Sequence, residues 1–364
     1  VSMVIAIVFF VFIIIADLAL IFSHSKLFSE TENRALQQAP EMDFSRLTSG
    51  RFMNQFEDFV ADQFFMRDGW IGAKLTMDKL SGRKESNNVL LGKKGYLLEN
   101  TVTPDFELID SSVNAINRFS SNYPDLSIVM TIVPNAVYSL EDYVPKGAPV
   151  RDQAEDIAYT SSALSDSIDF VNLNEVMRAH SDEYIYYKSD HHWTSLGAKY
   201  AFINLAAALN ISSADPGYDV MTVATDFSGT MASTSGSFGT TDAVQIYVAE
   251  NTPDYYVEYS GAGDSVKTAS IYSSSALEQK NKYEVFFGGN FPRITISTLN
   301  NNGRNLLLLK DSYANCFVQF LLPYYEKIVI IDPRYYSDDL NNDITVNGIT
   351  DVLILYNENT FVTD

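Results

Sequence analysis

The chain has 364 residues, 46% apolar and 20% charged, the balance of a folded protein with a large core rather than a disordered segment. Lys and Arg number 25 against 46 Asp and Glu, a formal charge of −21; with no basic patch in the sequence, nucleic acid and anionic lipid head groups are excluded as partners. Cys316 is the only cysteine, so no intramolecular disulfide forms.

Met3 to Phe22 is almost entirely Val, Ile, Phe, Ala and Leu, with Asp17 its one charge. About twenty helical residues rise roughly 30 Å, the thickness of a bilayer core. The run exceeds the roughly 7–15 apolar residues of a cleavable signal and reads as a membrane anchor, although Ser23-His24-Ser25 offers a weak small-x-small cleavage site. Lys26 and Arg34 follow it, a small charge bias toward a cytoplasmic body. Ser23 to Phe44 is polar and irregular, a stalk. Phe52, Met53, Phe56, Phe59, Val60 and Phe64 recur at helical spacing, and this aromatic stripe is expected to face a core. Val89–Leu91 and Tyr96–Leu98 flank Gly92-Lys93-Lys94-Gly95 and predict a hairpin. That turn is too short for a phosphate loop, and no Ser or Thr follows its lysine, so no nucleotide site is expected.

Beyond the hairpin, strands and helices alternate. A helix stripe (Leu108, Ile109, Val113, Ile116, Phe119) ends at Pro124-Asp125, and a buried strand follows over Leu126–Val133. Ala154 to Leu164 is helical, Ile168–Leu173 and Tyr184–Tyr187 are strand-like, and Thr194 is placed to cap a helix carrying Leu196, Tyr200, Ile203 and Leu205. Asp226 to Asp242 is a Gly/Ser/Thr-rich loop without apolar period. Strands follow at Ala243–Ala249, Tyr255–Tyr259, Ile294–Ser297, Asn305–Leu309, Ile328–Ile331 and Val352–Tyr356, with a helix around Phe317, Phe320 and Leu321. Such alternation predicts an α/β fold, a mainly parallel sheet flanked by helices. The expected organisation is an anchor over 1–23, a stalk and helical lead-in over 24–88, and an α/β domain over 89–364.

Two stretches carry chemistry. Asp190-His191-His192-Trp193 holds two of the four histidines, three residues after the end of a strand-like run. Histidine moves protons near neutrality, and a neighbouring carboxylate fixes its tautomer and stabilises its imidazolium. Leu306–Leu309 then runs into Lys310-Asp311-Ser312-Tyr313, where an apolar strand meets a polar elbow and a helix. A serine there needs an adjacent base, because its hydroxyl does not ionise at neutral pH. His192, backed by Asp190, is that base, and the Ser312 and Tyr313 amides are expected to hold an oxyanion. Each stretch also has an ordinary reading: Ser312 as a helix cap, Asp190-x-His192 as a structural hydrogen bond. Asn135 and Asn290 are further oxyanion donors or plain turn residues, and Arg334 holds substrate or stays on the scaffold. His191 lines a groove or packs, and Trp193 stacks on a sugar ring or joins the core. Adjacent histidines rarely share one ion and no further histidine lies nearby, so neither metal nor cofactor is expected.

Several motifs together resemble one family. They are Phe56-Glu57-Asp58-Phe59 with Arg67-Asp68, Leu91-Gly92-Lys93-Lys94-Gly95-Tyr96-Leu97, Val133-Pro134-Asn135, and Ser189-Asp190-His191-His192-Trp193-Thr194. Phe287-Gly288-Gly289-Asn290, Lys310-Asp311-Ser312-Tyr313-Ala314-Asn315 and Asp332-Pro333-Arg334-Tyr335-Tyr336 complete the set. In order and content these resemble the DHHW family, bacterial anchored proteins related to the SGNH-like alginate O-acetyltransferases. The resemblance implies an SGNH-hydrolase-like fold with Asp190 as orienter, His192 as base and Ser312 as nucleophile. It also implies a single-pass protein whose body lies outside the cytoplasmic membrane, against the small charge bias. The activity implied is O-acylation of a carbohydrate, most simply acetylation, on an exopolysaccharide in the cell envelope, with the donor presented by a multi-pass membrane acyltransferase. The alternatives are a carbohydrate O-acetylesterase with the same residues, or a catalytically silent glycan-binding scaffold of a polysaccharide export complex.

Overall fold

The computed structural model describes residues 2–22, 25–29, 34–260 and 265–363. Ser23 and His24, the first two residues of the cleavage-site reading, lie outside them. Helix α1, Ser2–Phe22, carries an 18-residue apolar window over Met3–Leu20, long enough to cross a membrane and with none of it buried. Helices α2 (Arg51–Asp62) and α3 (Arg67–Leu80) follow. The α2 stripe was expected to face a core, but no residue of α2 is buried, and Met53 and Phe56 are 51% and 41% exposed. Its aromatic rings pack on one another instead, Phe52 stacking on Phe56 at 6.1 Å, and among the described residues no layer buries that face. Helical periodicity shows that a face is apolar, not what covers it.

The predicted hairpin forms from β1 (Val89–Leu91) and β2 (Leu97–Glu99), with Leu90 opposite Leu98. Helix α4 (Phe106–Asn122) begins where the Asp105 carboxylate accepts the Glu107 and Leu108 amides at 3.0 and 3.2 Å. The central sheet takes β3 (Ser127–Val133) and, after helix α5 (Gln153–Ala163), β4 (Ile168–Phe170). Helix α6 (Ser195–Leu205) starts at Thr194, whose hydroxyl accepts the Gly197 amide at 3.3 Å as its sequence position predicted. A separate antiparallel pair, β5 (Tyr218–Phe227) and β6 (Asp242–Ala249), encloses helix α7 (Thr230–Ser235). The sheet is completed by β7 (Tyr255–Ser260), β8 (Ser265–Thr268), β9 (Arg293–Thr298), β10 (Asn305–Lys310), β11 (Lys327–Ile331) and β12 (Asp351–Asn357).

Its strand order is β8-β7-β9-β11-β10-β12-β3-β4. The five strands β11, β10, β12, β3 and β4 run parallel, whereas β9, β7 and β8 add antiparallel steps at one edge. The fold is therefore a mixed α/β fold with a large central sheet, more antiparallel at that edge than the sequence alternation suggested. The reason is local: β7 and β8 are neighbours along the chain, and the four positions between Ser260 and Ser265 are too few for the crossover of a dozen or more residues that parallel pairing needs.

The side-chain alternation of β10 sorts its leucines to two cores. Leu306 and Leu308 join the larger cluster with Trp193, Phe202 and Phe317, while Leu307 joins Ile109, Val129's neighbour Ile128 and Val352 on the other face. Truncating Leu307, with no exposed surface, to alanine is expected to cost about 2–5 kcal/mol. A strand this firmly held delivers Lys310, Asp311 and Ser312 to the carboxyl edge of the sheet, where α/β folds place their sites.

Candidate active site

The loop before Trp193 is a tight reversal rather than the short strand expected at Tyr184–Tyr187. The Tyr187 amide reaches His192 O at 3.2 Å and the Thr194 amide reaches Ile185 O at 2.9 Å, an isolated bridge between Tyr186 and Trp193 rather than a strand. The buried Asp242 carboxylate at the start of β6 holds this reversal by accepting the Lys188 and Ser189 amides at 2.9 and 2.7 Å and the Ser189 hydroxyl at 2.5 Å. With three donors satisfied by one side chain, the next residue, Asp190, is fixed in direction.

Trp193 and Tyr313 tie this loop to the β10 elbow. The Trp193 indole donates to Tyr313 O at 2.8 Å, and the Tyr313 hydroxyl donates back to His191 O. Trp193 has no exposed surface and stacks on Phe317, so it belongs to the core and offers no face to a sugar. Across this tie, His192 Nε2 lies 2.8 Å from Ser312 Oγ, and His192 Nδ1 lies 2.6 Å from Asp190 Oδ1. Two stretches separated by more than a hundred residues thus form one hydrogen-bonded chain, carboxylate to imidazole to hydroxyl. Asp190 and His192 are buried at 2% and 7% exposure, while Ser312 remains half-buried and reachable.

Proton positions follow from the partners. Asp190 Oδ2 accepts both the Thr230 amide at 2.8 Å and the Thr230 hydroxyl at 3.0 Å. Because that hydroxyl has spent its one proton, His191 Nδ1, 2.8 Å away, must donate to it. His192 likewise donates from Nδ1 to Asp190, which leaves Nε2 bare to accept from Ser312. Burial and the neighbouring His191 lower the His192 pKa to about 4, against the opposing pull of Asp190, so the ring is neutral near pH 7. For Asp190, burial pushes upward, but His191, His192 and the Thr230 amide outweigh it and hold the carboxyl well below the usual carboxylate range. A neutral imidazole with a bare nitrogen on a serine hydroxyl can take the proton as the oxygen attacks an electrophile, and the fixed carboxylate stabilises the imidazolium that results.

Thr230, Gly229 and Tyr283 complete the site and were not singled out from sequence. A Cβ on Gly229 would sit 2.3 Å from the Asp190 Cβ, so only glycine lets α7 approach the carboxylate closely enough for Thr230 to reach it. Tyr283 stacks on the His192 ring with centroids 3.9 Å apart and donates its hydroxyl to Ser312 O at 2.9 Å. The Gly/Ser/Thr-rich composition around Gly229 reads as a loop that could join an acceptor groove; nothing in it points toward Asp190.

The elbow differs from the expectation of a helix N-terminus. Ser312–Cys316 is a 3-10 turn, and its Tyr313 amide already donates to the Asp311 carboxylate at 2.9 Å, so it is not open to an oxyanion. Asn135 is also committed. Its amide nitrogen bonds Glu99 at 3.0 Å and Asn357 at 3.3 Å, and its side-chain oxygen accepts from Gln153 at 2.8 Å. Asn290 is placed differently. Its oxygen accepts from Lys310 at 3.4 Å and from Asn315 at 3.1 Å, which leaves its NH2 face turned from that pair, and the residue is exposed. Phe287, Gly288 and Gly289 precede it at φ of 68°, 77° and 129°, a left-handed turn that sets its direction. Lys310 has 1% exposure; burial draws its pKa down to about 8 despite Asp332 at 3.7 Å. Arg334 forks onto Asp332 at 2.9 and 2.8 Å, so its guanidinium braces that carboxylate.

Among the described residues, the Asp190, His191 and His192 ligand atoms lie within 4.8 Å of one another and form the one group of three side chains that could hold a cation. Each histidine is already engaged with Asp190, Thr230 or Ser312, so a metal would have to displace the hydrogen-bonded chain.

The fold is similar to that of a solved DHHW family protein from Eubacterium siraeum, at 25% identity and TM-score 0.67, covering 77% of this chain and 94% of that one. It is similar also to Bacillus cereus PatB1, solved with a sulfonyl adduct, at 20% identity and TM-score 0.64, covering 76% and 98% respectively. A second PatB1 structure gives 21% identity and TM-score 0.63 over 76% and 97%. The curated proteins contain no match to the sequence. The family model described as DHHW protein matches residues 108–331, a span that opens within α4, closes at the end of β11 and contains Asp190, His192 and Ser312. That match covers more than half of the sequence and agrees with the shared fold, and the chain therefore belongs to the DHHW protein family.

Proposed function

We propose that the protein is a carbohydrate O-acyltransferase, acetyl being the simplest group, that works through an acyl-enzyme on Ser312. The observation that carries this reading is the unbroken chain from Asp190 through His192 to a reachable Ser312, with Nε2 to Oγ at 2.8 Å. His192 takes the Ser312 proton as Oγ attacks the acyl carbonyl, and the tetrahedral oxyanion is held by the Ser312 amide and the Asn290 NH2. The leaving group departs with the proton from His192. The ring then takes a proton from a sugar hydroxyl as that oxygen attacks the acyl carbon; when the tetrahedral intermediate collapses, the Oγ–acyl bond breaks and the imidazolium returns the proton to Ser312 Oγ. Tyr283 holds the His192 plane throughout. The motifs of the DHHW and alginate O-acetyltransferase resemblance favour transfer over hydrolysis, since the same residues serve both reactions.

In this reading α1 is a single-pass anchor or a signal, residues 24–88 lead into the body, and the body over 89–364 acts outside the cytoplasmic membrane. The acceptor is a polysaccharide of the cell envelope, and a multi-pass membrane acyltransferase presents the donor. The test is an acyl-enzyme assay on the full chain. A chromogenic acetyl ester should leave one acetyl group on Ser312, seen by mass spectrometry, and a sulfonyl fluoride should label the same residue. Ser312→Ala should lose both while retaining its fold. Unchanged turnover in that variant would overturn the reading and leave a glycan-binding scaffold.

A further inference from the structure

The antiparallel edge of the sheet forms a cleft of about 460 Å³ that the site described above does not use. This is within the range of about 300–1,000 Å³ usual for small-ligand sites. Four aromatic rings line it: Tyr259 on β7, Tyr272, Phe287 and Phe291. Ser270 and Ser273 supply hydroxyls between them. Among the described residues, none that lines it carries a charge.

Its position relates it to Ser312. Tyr283, which stacks on His192, lies four residues before Phe287 in the cleft wall, and Asn290 follows Gly288 by two residues. The Asn290 oxygen meets Asn315, three residues past Ser312, at 3.1 Å. One short segment thus touches His192 at its start, walls the cleft at its middle, and reaches the elbow of Ser312 at its end. The Phe287 amide anchors this segment to Ile271 O at 2.8 Å, between the strands of the cleft. The Tyr259 and Phe291 rings pack on each other 4.8 Å apart at 54°; Tyr259 is buried, and the half-buried Phe291 is the ring of the pair with surface left to meet a ligand.

The lining selects the chemistry. Aromatic faces carry negative charge and attract the slightly positive C–H faces of a pyranose ring, and serine hydroxyls pair with sugar hydroxyls. A uronate or phosphate entering the same cleft would lose hydration with no cation to replace it, inside a chain of net charge −21. We propose that this cleft is the acceptor subsite and takes a neutral pyranose residue of the glycan, with the acylated hydroxyl on a neighbouring part of the chain at Ser312. This assignment rests on the acyl-transfer reading of Ser312 and adds the class of sugar to it.

The test uses the full chain carrying Ser312→Ala, in which binding is measured without turnover. It is exposed to immobilised neutral glycans (glucan, galactan, xylan and chitin oligosaccharides) and anionic ones (alginate, pectate and teichoic acid). Retention of neutral glycans, with affinity lowered at least about tenfold by Phe291→Ala and kept by Phe291→Tyr, is the expected result. Val266→Asp, which places a charge at a rim position 58% exposed, should weaken neutral binding without disturbing the core. Preference for the anionic set, retention of no glycan, or binding indifferent to both substitutions overturns the proposal. So does Phe291-dependent binding of cis-parinaric acid, which would assign the cleft to an acyl chain. Failure of the Ser312 labelling assay with glycan binding intact would instead sink the acyl-enzyme and spare the cleft.

Discussion

Replacing Asp190 by asparagine tests the proposed chemistry at its least conspicuous member. The side chain keeps its shape but offers one oxygen and one NH2. Thr230 aims two donors, its amide at 2.8 Å and its hydroxyl at 3.0 Å, at one carboxylate oxygen, whereas the other meets one fixed donor, the His192 amide at 3.1 Å, beside a ring nitrogen whose proton can move; the asparagine oxygen is therefore better satisfied facing Thr230. The NH2 then faces His192 Nδ1, now 2.6 Å from a carboxylate oxygen. That nitrogen is forced to accept, the ring proton moves to Nε2, and the atom that should receive the Ser312 proton already holds one. Losing the ion pair with the transient imidazolium costs about 4 kcal/mol at an effective dielectric of about 20 and a charge separation of about 4 Å. Restoring the productive tautomer adds an energy on the order of 1–2 kcal/mol, the size of one net hydrogen bond. Together they predict a fall in kcat of about 10⁴-fold, since each 1.36 kcal/mol is a factor of ten. The assay is release of chromophore from an acetyl ester by the full chain, with kcat and KM resolved separately. A variant that folds normally and retains activity within tenfold of the parent would refute the assignment of Asp190, and with it the tautomer argument.

Thr230→Val removes only the hydroxyl and leaves the amide bond to Asp190; kcat should drop about 10–100-fold with KM little changed, and Thr230→Ser should restore it. An unaltered kcat would show that the amide alone holds the carboxylate. Activity should persist well below the usual histidine range and fall only as pH drops through about 4, because protonation of His192 removes the base and burial with His191 opposes it. His191→Asn should move that acid limb upward, and a limb already near pH 6.5 in the parent contradicts the buried, neutral ring. Burial and Asp156 raise the Glu358 pKa to about 8, so this carboxyl keeps its proton in the folded protein and loses it in the unfolded one near pH 4.5. Its contribution to stability is full below pH 4.5 and lost as pH rises through about 8. Glu358→Gln should therefore raise Tm relative to the parent at pH 9 and change it little at pH 5; equal shifts at both would exclude the linkage.

Much of the molecule is decided by local pattern. The apolar run of α1, the hairpin at Gly92–Gly95, the Thr194 cap and the all-apolar β10 leading to Ser312 follow from periodicity, turn chemistry and capping, all of which act between near neighbours. So does the pairing of Asp190 with His192 two residues on. Other features exist only once distant segments meet. Thr230 and Tyr283 reach the Asp190–His192 pair from α7 and from the turn before β9, Thr230 supplying both bonds to the carboxylate's second oxygen and Tyr283 the ring that stacks on His192. Asn135 is committed to Glu99 and Gln153, choices that depend on which polar atom is nearest after packing. The exposed stripe of α2 and the antiparallel edge that shapes the aromatic cleft are of the same kind. A side chain's chemical capacity is carried by its sequence, whereas its partners are set by hydrogen-bond distances of about 3 Å between residues distant along the chain, and only the folded chain fixes those.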